Sequence, residues 1–199
     1  MREEWSQRLK RLLFNLFYPA VLGTFFFSLL PAVGASIRRG LDFSAAPDWK
    51  LILCLLVVAH FFVDYIFTEE VRTYQVRLFM VDLAVVVLLY NAYYGVNLEK
   101  PEEIDCRAIA LEMTGVYACF LFWKSWNISE IGKQQWMTIY QVAFFLVFLA
   151  VWRIWPNVEL LAFSLAAATL AMIVVCGRVL RQYHWRGRGS AHSPDLNPG

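Results

Sequence analysis

KLILCLLVVAHFFVDYIFTEEVRTYQVRLFMVDLAVVVLLYNAYYGV, residues 50–96, is the stretch that decides the fold. It holds two apolar runs, each long enough to cross a bilayer, joined by the charged turn Thr68–Tyr74. A spanning helix needs about 20 mostly apolar residues. Three ionisable side chains, His60, Asp64 and Asp82, lie inside the runs. Hydrocarbon penalises such groups, so they are expected to face a partner, a cavity or a route for something charged.

Working outward, the same length criterion marks six spans: about 12–35, 50–68, 75–96, 106–124, 136–155 and 158–178. The expectation is an all-α, polytopic integral membrane protein, a bundle of about six transmembrane helices occupying residues 1–180. Composition agrees, because 59% of the 199 residues are hydrophobic, above the roughly 45–50% of soluble domains. Pro156 separates the last two spans, since proline cannot continue a helix ladder. Pro19 and Pro31 fall inside the first run and predict a kink there. Val33-Gly34-Ala35 has the small residues of a signal-cleavage site, but the run before it is much longer than the 7–15 apolar residues of a signal peptide. Residues 181–199 begin basic and turn small, polar and Pro/Gly-rich, and are expected to form a disordered tail on anionic lipid.

Lys and Arg orient the bundle. With six spans, twelve of the eighteen lie on the side of both termini and six on the other. The positive-inside rule then places both termini in the cytoplasm. The eight tryptophans fall near span ends, as expected of rings at headgroup level. A net charge of +2 gives no footing for nucleic acid. The lipid bilayer is the one partner the composition requires, with a second copy or a membrane partner subunit as further candidates. The three polar positions fall in spans two and three, with one more acid in span four, so no matched halves of an inverted repeat are present.

His60 and Asp64 are four apart and share a helix face. At ~1.5 Å per residue His60 lies near the bilayer centre, while Asp64 and Asp82 reach comparable depth near the cytoplasmic end. Tyr140 and Gln141 of span five, with Asn15 and Tyr18 of span one, fall in the same layer and are the expected polar support. Glu112 belongs to the outer half, near the depth of Asn91 and close to Arg107. Such a set suits a proton or cation relay, because imidazoles titrate near neutral pH and buried acids titrate away from their usual range. The same residues also serve as interhelical glue. Span six carries Ala162, Ala166, Ala167, Ala168 and Ala171, with Ser164 and Thr169, small residues that permit close helix approach.

Enzyme signatures are thin: there is no G-x-S-x-G, H-E-x-x-H or Gly-rich phosphate loop. Cys54, Cys106, Cys119 and Cys176 lack zinc or haem-attachment spacing and read as small apolar residues. A single histidine inside the bundle does not make a bis-histidine haem, and a mixed metal site of His60, Asp64, Asp82 and Glu112 has no spacing signature. No cofactor is named by the sequence. The functional expectation is translocation or sensing of a small solute or ion at His60, Asp64 and Asp82, with Glu112 as a further candidate. Its rivals are a structural, regulatory or effector subunit acting by helix association, and a membrane enzyme on a lipid or quinone-like substrate.

Overall fold

A computed structural model describes residues 2–40, 46–69, 76–96, 104–126 and 135–189. Among these residues all regular structure is helical. The helices are α1 (Arg2–Leu12), a π turn (Leu13–Phe17), α2 (Tyr18–Arg39), α3 (Ala46–Glu69), α4 (Val76–Gly95), α5 (Cys106–Trp126), α6 (Gln135–Arg153) and α7 (Val158–Gly189). Six helical stretches are long and apolar enough to span a membrane: Glu4–Arg39, Asp48–Ile66, Val76–Gly95, Cys106–Trp123, Trp136–Arg153 and Val158–Arg178. The protein is an all-α, multi-pass integral membrane protein of six-helix architecture.

Local chemistry explains the ends. Asp105 caps α5, its Oδ1 accepting from the Ala108 N–H at 2.9 Å. Asn157 caps α7, its Oδ1 accepting from the N–H groups of Glu159 at 2.7 Å and Leu160 at 3.2 Å. A short polar side chain at that position satisfies the first orphan donors of a helix. With Pro156 before it, the turn between α6 and α7 needs only Ile154 to Asn157. Gly40 ends α2 at φ 83°, a conformation open to glycine.

Two stretches differ from expectation. The first span is one helical run from Arg2 to Arg39, longer than 12–35, and it contains a π turn at Leu13–Phe17. Pro19 lacks the N–H that would bond to Asn15, and its ring crowds that carbonyl. The Tyr18 N–H bonds instead to the Leu13 carbonyl, one residue further back than in an α-helix. At the other end α7 continues to Gly189, well into the segment 181–199 expected as a disordered tail. Residues 179–186 contain neither Gly nor Pro, so nothing in them interrupts the ladder. Residues 190–199 lie outside the described part.

Packing makes α3 the central strut, in contact with α2, α4 and α7, while α5 packs along α4 and α6. Half of the α3 span is buried within the protein, against 17% of the first span, which therefore runs along the edge. The core is aliphatic around Leu53, Val57, Leu89, Ile109 and Leu165, with two aromatic clusters, one around Phe25 and Phe61, the other around Tyr117.

Candidate functional site

The π turn matters because of the residue that follows it. Tyr18 is fully buried, and its hydroxyl donates to Asp64 Oδ2 on α3 at 2.8 Å. Its ring packs against Phe61 and Tyr65 of α3 at 5.0 and 5.1 Å. A π turn winds more slowly than an α turn, so residues three apart no longer share a face. Tyr18 is turned inward, whereas Asn15, expected beside it, is exposed.

Asp64 is held from one side by Tyr18 and borders a cavity on another. That cavity is lined by Asp64 of α3, Asp82 of α4, Phe120 and Trp123 of α5, Met137, Tyr140 and Gln141 of α6, and Met172, Val175 and Cys176 of α7. It has about 400 Å³ of space between atoms, part of it open to the surroundings, and only about 20 Å³ admits the centre of a water molecule. A water needs roughly 10–15 Å³ by that measure, so the cavity takes a water-sized occupant and little more. All ten residues lie toward the end where α3, α5 and α7 leave the membrane and α4 and α6 enter it. Antiparallel neighbours bring residues distant in sequence to one depth, and that is why Asp64 and Asp82 border the same cavity.

Gln141 is the informative wall. It is 2% exposed, and its Oε1 has no hydrogen-bond partner within the protein. A buried amide oxygen without a donor costs about 1–3 kcal/mol. Tyr140, beside it, forms a 2.6 Å hydroxyl–hydroxyl bond with Tyr117 of α5 and donates to the Ala168 carbonyl of α7 at 3.3 Å. The two contacts share one Tyr140 proton, so when it goes to Ala168 the Tyr117 hydroxyl is the donor to Tyr140.

His60 has a different neighbourhood. It is fully buried and is not among the residues lining the cavity. Its Nδ1 lies 3.1 Å from Thr169 Oγ1 on α7, and that hydroxyl already donates its one proton to the Leu165 carbonyl at 2.8 Å. Nδ1 is therefore the protonated ring nitrogen and donates to Thr169, leaving Nε2 as a lone pair with no partner in the protein. Although His60 and Asp64 share a broad face of α3, α7 takes the first and Tyr18 takes the second. The His60–Thr169 bond reads as a clasp between α3 and α7. A double-mutant cycle of His60→Leu and Thr169→Val should show a coupling of about 0.6 kcal/mol, the average of measured membrane hydrogen bonds, and at most about 1.7 kcal/mol. Unfolding in detergent measures it, and zero coupling would remove the clasp.

The remaining candidates are dispersed. Glu112 is half-buried and Asn91 is exposed, neither of them at the cavity. On α7, Ala162 is buried, Ala166 and Ala171 are half-buried, and Ala167 is exposed. Among the described residues no three His, Cys, Asp or Glu side chains converge as a metal-binding set. All four cysteines are free thiols.

Three participants were missed from sequence. Thr169 and Cys176 were read as packing residues, and Tyr117 was not singled out at all. Their signal is weak, because a hydroxyl or thiol within an apolar helix is compatible with any rotation of that helix. A second polar cluster, also missed, sits at the opposite end of the bundle. There Asp48 is 1% exposed and accepts from Ser36 at 3.0 Å and from Arg39 at 3.1 Å, and Lys50, two residues further along α3, is buried as well.

No known protein family, characterised protein or solved structure matches this chain, so its functional assignment rests on the geometry of the Asp64–Asp82 cavity itself.

Proposed function

We propose that the protein translocates or senses a proton or small cation at the Asp64–Asp82 cavity. One observation carries this: carboxylates from two antiparallel helices and a buried amide whose oxygen has no partner within the protein border a single water-sized space inside a membrane bundle. Ionisable groups at membrane depth are costly and tend to mark ion or proton paths. The cavity's size argues against an organic solute, which leaves water, protons and small ions. His60, expected as part of a relay, has no supporting contact with the acids, and the role passes to Asp64 and Asp82, with Tyr18 positioning Asp64.

The titratable groups around the pair are Tyr18 on α2, Tyr140 on α6 and Cys176 on α7. Tyr117 and Cys119 of α5 are close enough to feel the acids' charge, His60 lies one turn away on α3, and Arg77 stands exposed at the start of α4. No Lys, Arg or His lines the cavity among the described residues. The test is proton and cation flux in reconstituted vesicles across about pH 5–8, which covers the imidazole range as well. Asp64→Asn and Asp82→Asn should each reduce flux to background, while His60→Leu should leave its pH dependence in place. Flux that survives both Asn variants with an unchanged pH profile would refute the proposal.

An even number of spans puts both termini on the same side as the cavity. The excess of Lys and Arg on that side supports a cytoplasmic assignment. A reporter fused to the C-terminus should read cytoplasmic, and Asn127 of the Asn127-Ile128-Ser129 sequon should stay unglycosylated in a eukaryotic membrane. A glycan on Asn127 would invert the orientation.

A second role, as a structural or regulatory subunit acting by helix association, is favoured by the edge position of the first span. Its Phe27 is 86% and Leu30 65% exposed, an apolar strip available to another membrane helix as well as to lipid.

A further inference from the structure

Two polar side chains in the other half of the bundle play no part in the cavity. Asn91 of α4 is exposed and Glu112 of α5 is half-buried, each inside a membrane span. Neither makes a hydrogen bond or ion pair with any described residue, Arg107 included. At ~1.5 Å per residue Asn91 lies ~6 Å inward of Gly95, and Glu112 ~9 Å inward of Cys106. Lys and Arg escape such depths by snorkelling on long stems, but Asn and Glu are shorter. An acid facing hydrocarbon is costly unless another group meets it.

Packing sets the two residues side by side. A Cβ at Gly95 would meet Ile109 Cγ1 at 3.1 Å, and one at Gly115 would meet Leu88 Cδ1 at 3.1 Å. These contacts fix the register of the antiparallel helices α4 and α5. Asn91 is three residues from Leu88, and Glu112 is three residues from Gly115, so both stand at one depth. Three residues is close to one turn, which keeps both beside the seam between the helices. Val87 and Tyr94 are exposed on the same face of α4 as Asn91. An amide and a carboxyl thus sit together on an outward-facing, otherwise apolar surface.

That chemistry selects its occupant. A partner must offer an acceptor to Asn91 and a donor to Glu112, both at the same depth. A second copy of this chain does so by construction. Two copies with one orientation in the membrane are related by a two-fold axis along the membrane normal, which leaves every residue at its own depth. In such a contact residue i meets residue j, and j meets i. We infer that the face of α4 and α5 around Asn91 and Glu112 is a self-association surface, where each Asn91 amide donates to the Glu112 carboxyl of the second copy. Hydrogen bonds between side chains of neighbouring helices are an established glue in membranes. The surface lies at the opposite end of the bundle from the Asp64–Asp82 cavity, so it stands apart from the function proposed there.

The experiment is energy transfer between donor- and acceptor-labelled full-length protein in phosphatidylcholine vesicles, followed against the protein-to-lipid ratio. Wild-type protein should associate, with transfer linear in the acceptor fraction, as a dimer requires. Asn91→Leu or Glu112→Leu alone should raise the dissociation constant about eightfold, because either removes both symmetric hydrogen bonds at about 0.6 kcal/mol each. Glu112→Gln keeps an acceptor and should stay near wild type. The mixed pair is the sharpest arm. Donor-labelled Asn91→Leu with acceptor-labelled Glu112→Leu retains one of the two bonds, and should associate about threefold more tightly than either variant with itself.

Wild-type transfer no greater than random proximity overturns the inference and leaves the pair to lipid or to a different protein. So does association undiminished in both leucine variants, or a mixed pair no tighter than its parents. A loss in Glu112→Gln as large as in Glu112→Leu overturns it too, since hydrogen bonding would then not be what joins the copies.

Discussion

Replacing Tyr117 with alanine should lower stability by about 3–5 kcal/mol, the range for removing a large buried aromatic. Tyr117 is fully buried, and its ring centre lies 5.5 to 5.8 Å from those of Phe120, Tyr140, Phe144 and Phe148. His60 completes the surround at 5.9 Å. The ring thus holds α5 and α6 together and abuts α3, and no single neighbour can relax into the space it leaves. Tyr117→Phe keeps the ring and removes only the bond to Tyr140, which retains Ala168 as an acceptor. Its cost should be about 0.5–1.5 kcal/mol. Equilibrium unfolding in detergent measures both. Similar losses for the two variants would show that the hydroxyl, not the packing of the ring, holds this part of the bundle.

Gly115→Leu should overpack the contact between α4 and α5, because Leu88 of α4 packs against α5 where Gly115 presents no side chain. A Cβ built at Gly115 would meet Leu88 Cδ1 at 3.1 Å and Cδ2 at 3.3 Å. Leu88 is half-buried and its end can shift by the few tenths of an ångström that alanine demands. Alanine also gains about 0.5–1 kcal/mol in a helix interior relative to glycine. Gly115→Ala should therefore be close to neutral. Leucine adds three further carbons to a packed interface and should cost about 1–3 kcal/mol or more by overpacking. A destabilised Gly115→Ala would mean that Leu88 is locked, whereas a tolerated Gly115→Leu would mean that α4 and α5 slide freely.

The close contact at Gly115 also separates what alanine-rich α7 suggested from what the structure uses. Small residues at helical spacing in span six pointed to tight packing there, yet Ala167 is exposed and Ala166 only half-buried. A run of alanines declares that close approach is allowed on every face of the helix. It does not declare which face is taken, and the glycine in α5 carries no periodic signal at all.

The sequence by itself determined that this chain crosses a membrane with six helices, because hydrocarbon thickness converts directly into a count of apolar residues. Pro156 likewise marks the break between the last two spans by local chemistry alone. Two members of the polar site were legible on the same basis: alternating direction and ~1.5 Å rise per residue put Asp64 and Asp82 at matching depth. Depth, however, is one coordinate, and rotation about each helix axis is the other. A face shared by His60 and Asp64 is wide enough for two neighbours, and only the packing of α7 against α3 turned His60 toward Thr169 and away from the acids. In the first span, Pro19 was visible but its consequence was not. The π turn before it reset the phase of the helix, delivering Tyr18 to Asp64 and sending Asn15 outward. Gln141 was placed at the right depth by sequence, but its significance lies in an unmatched oxygen, and hydrogen-bond satisfaction exists only once all the neighbours are in place.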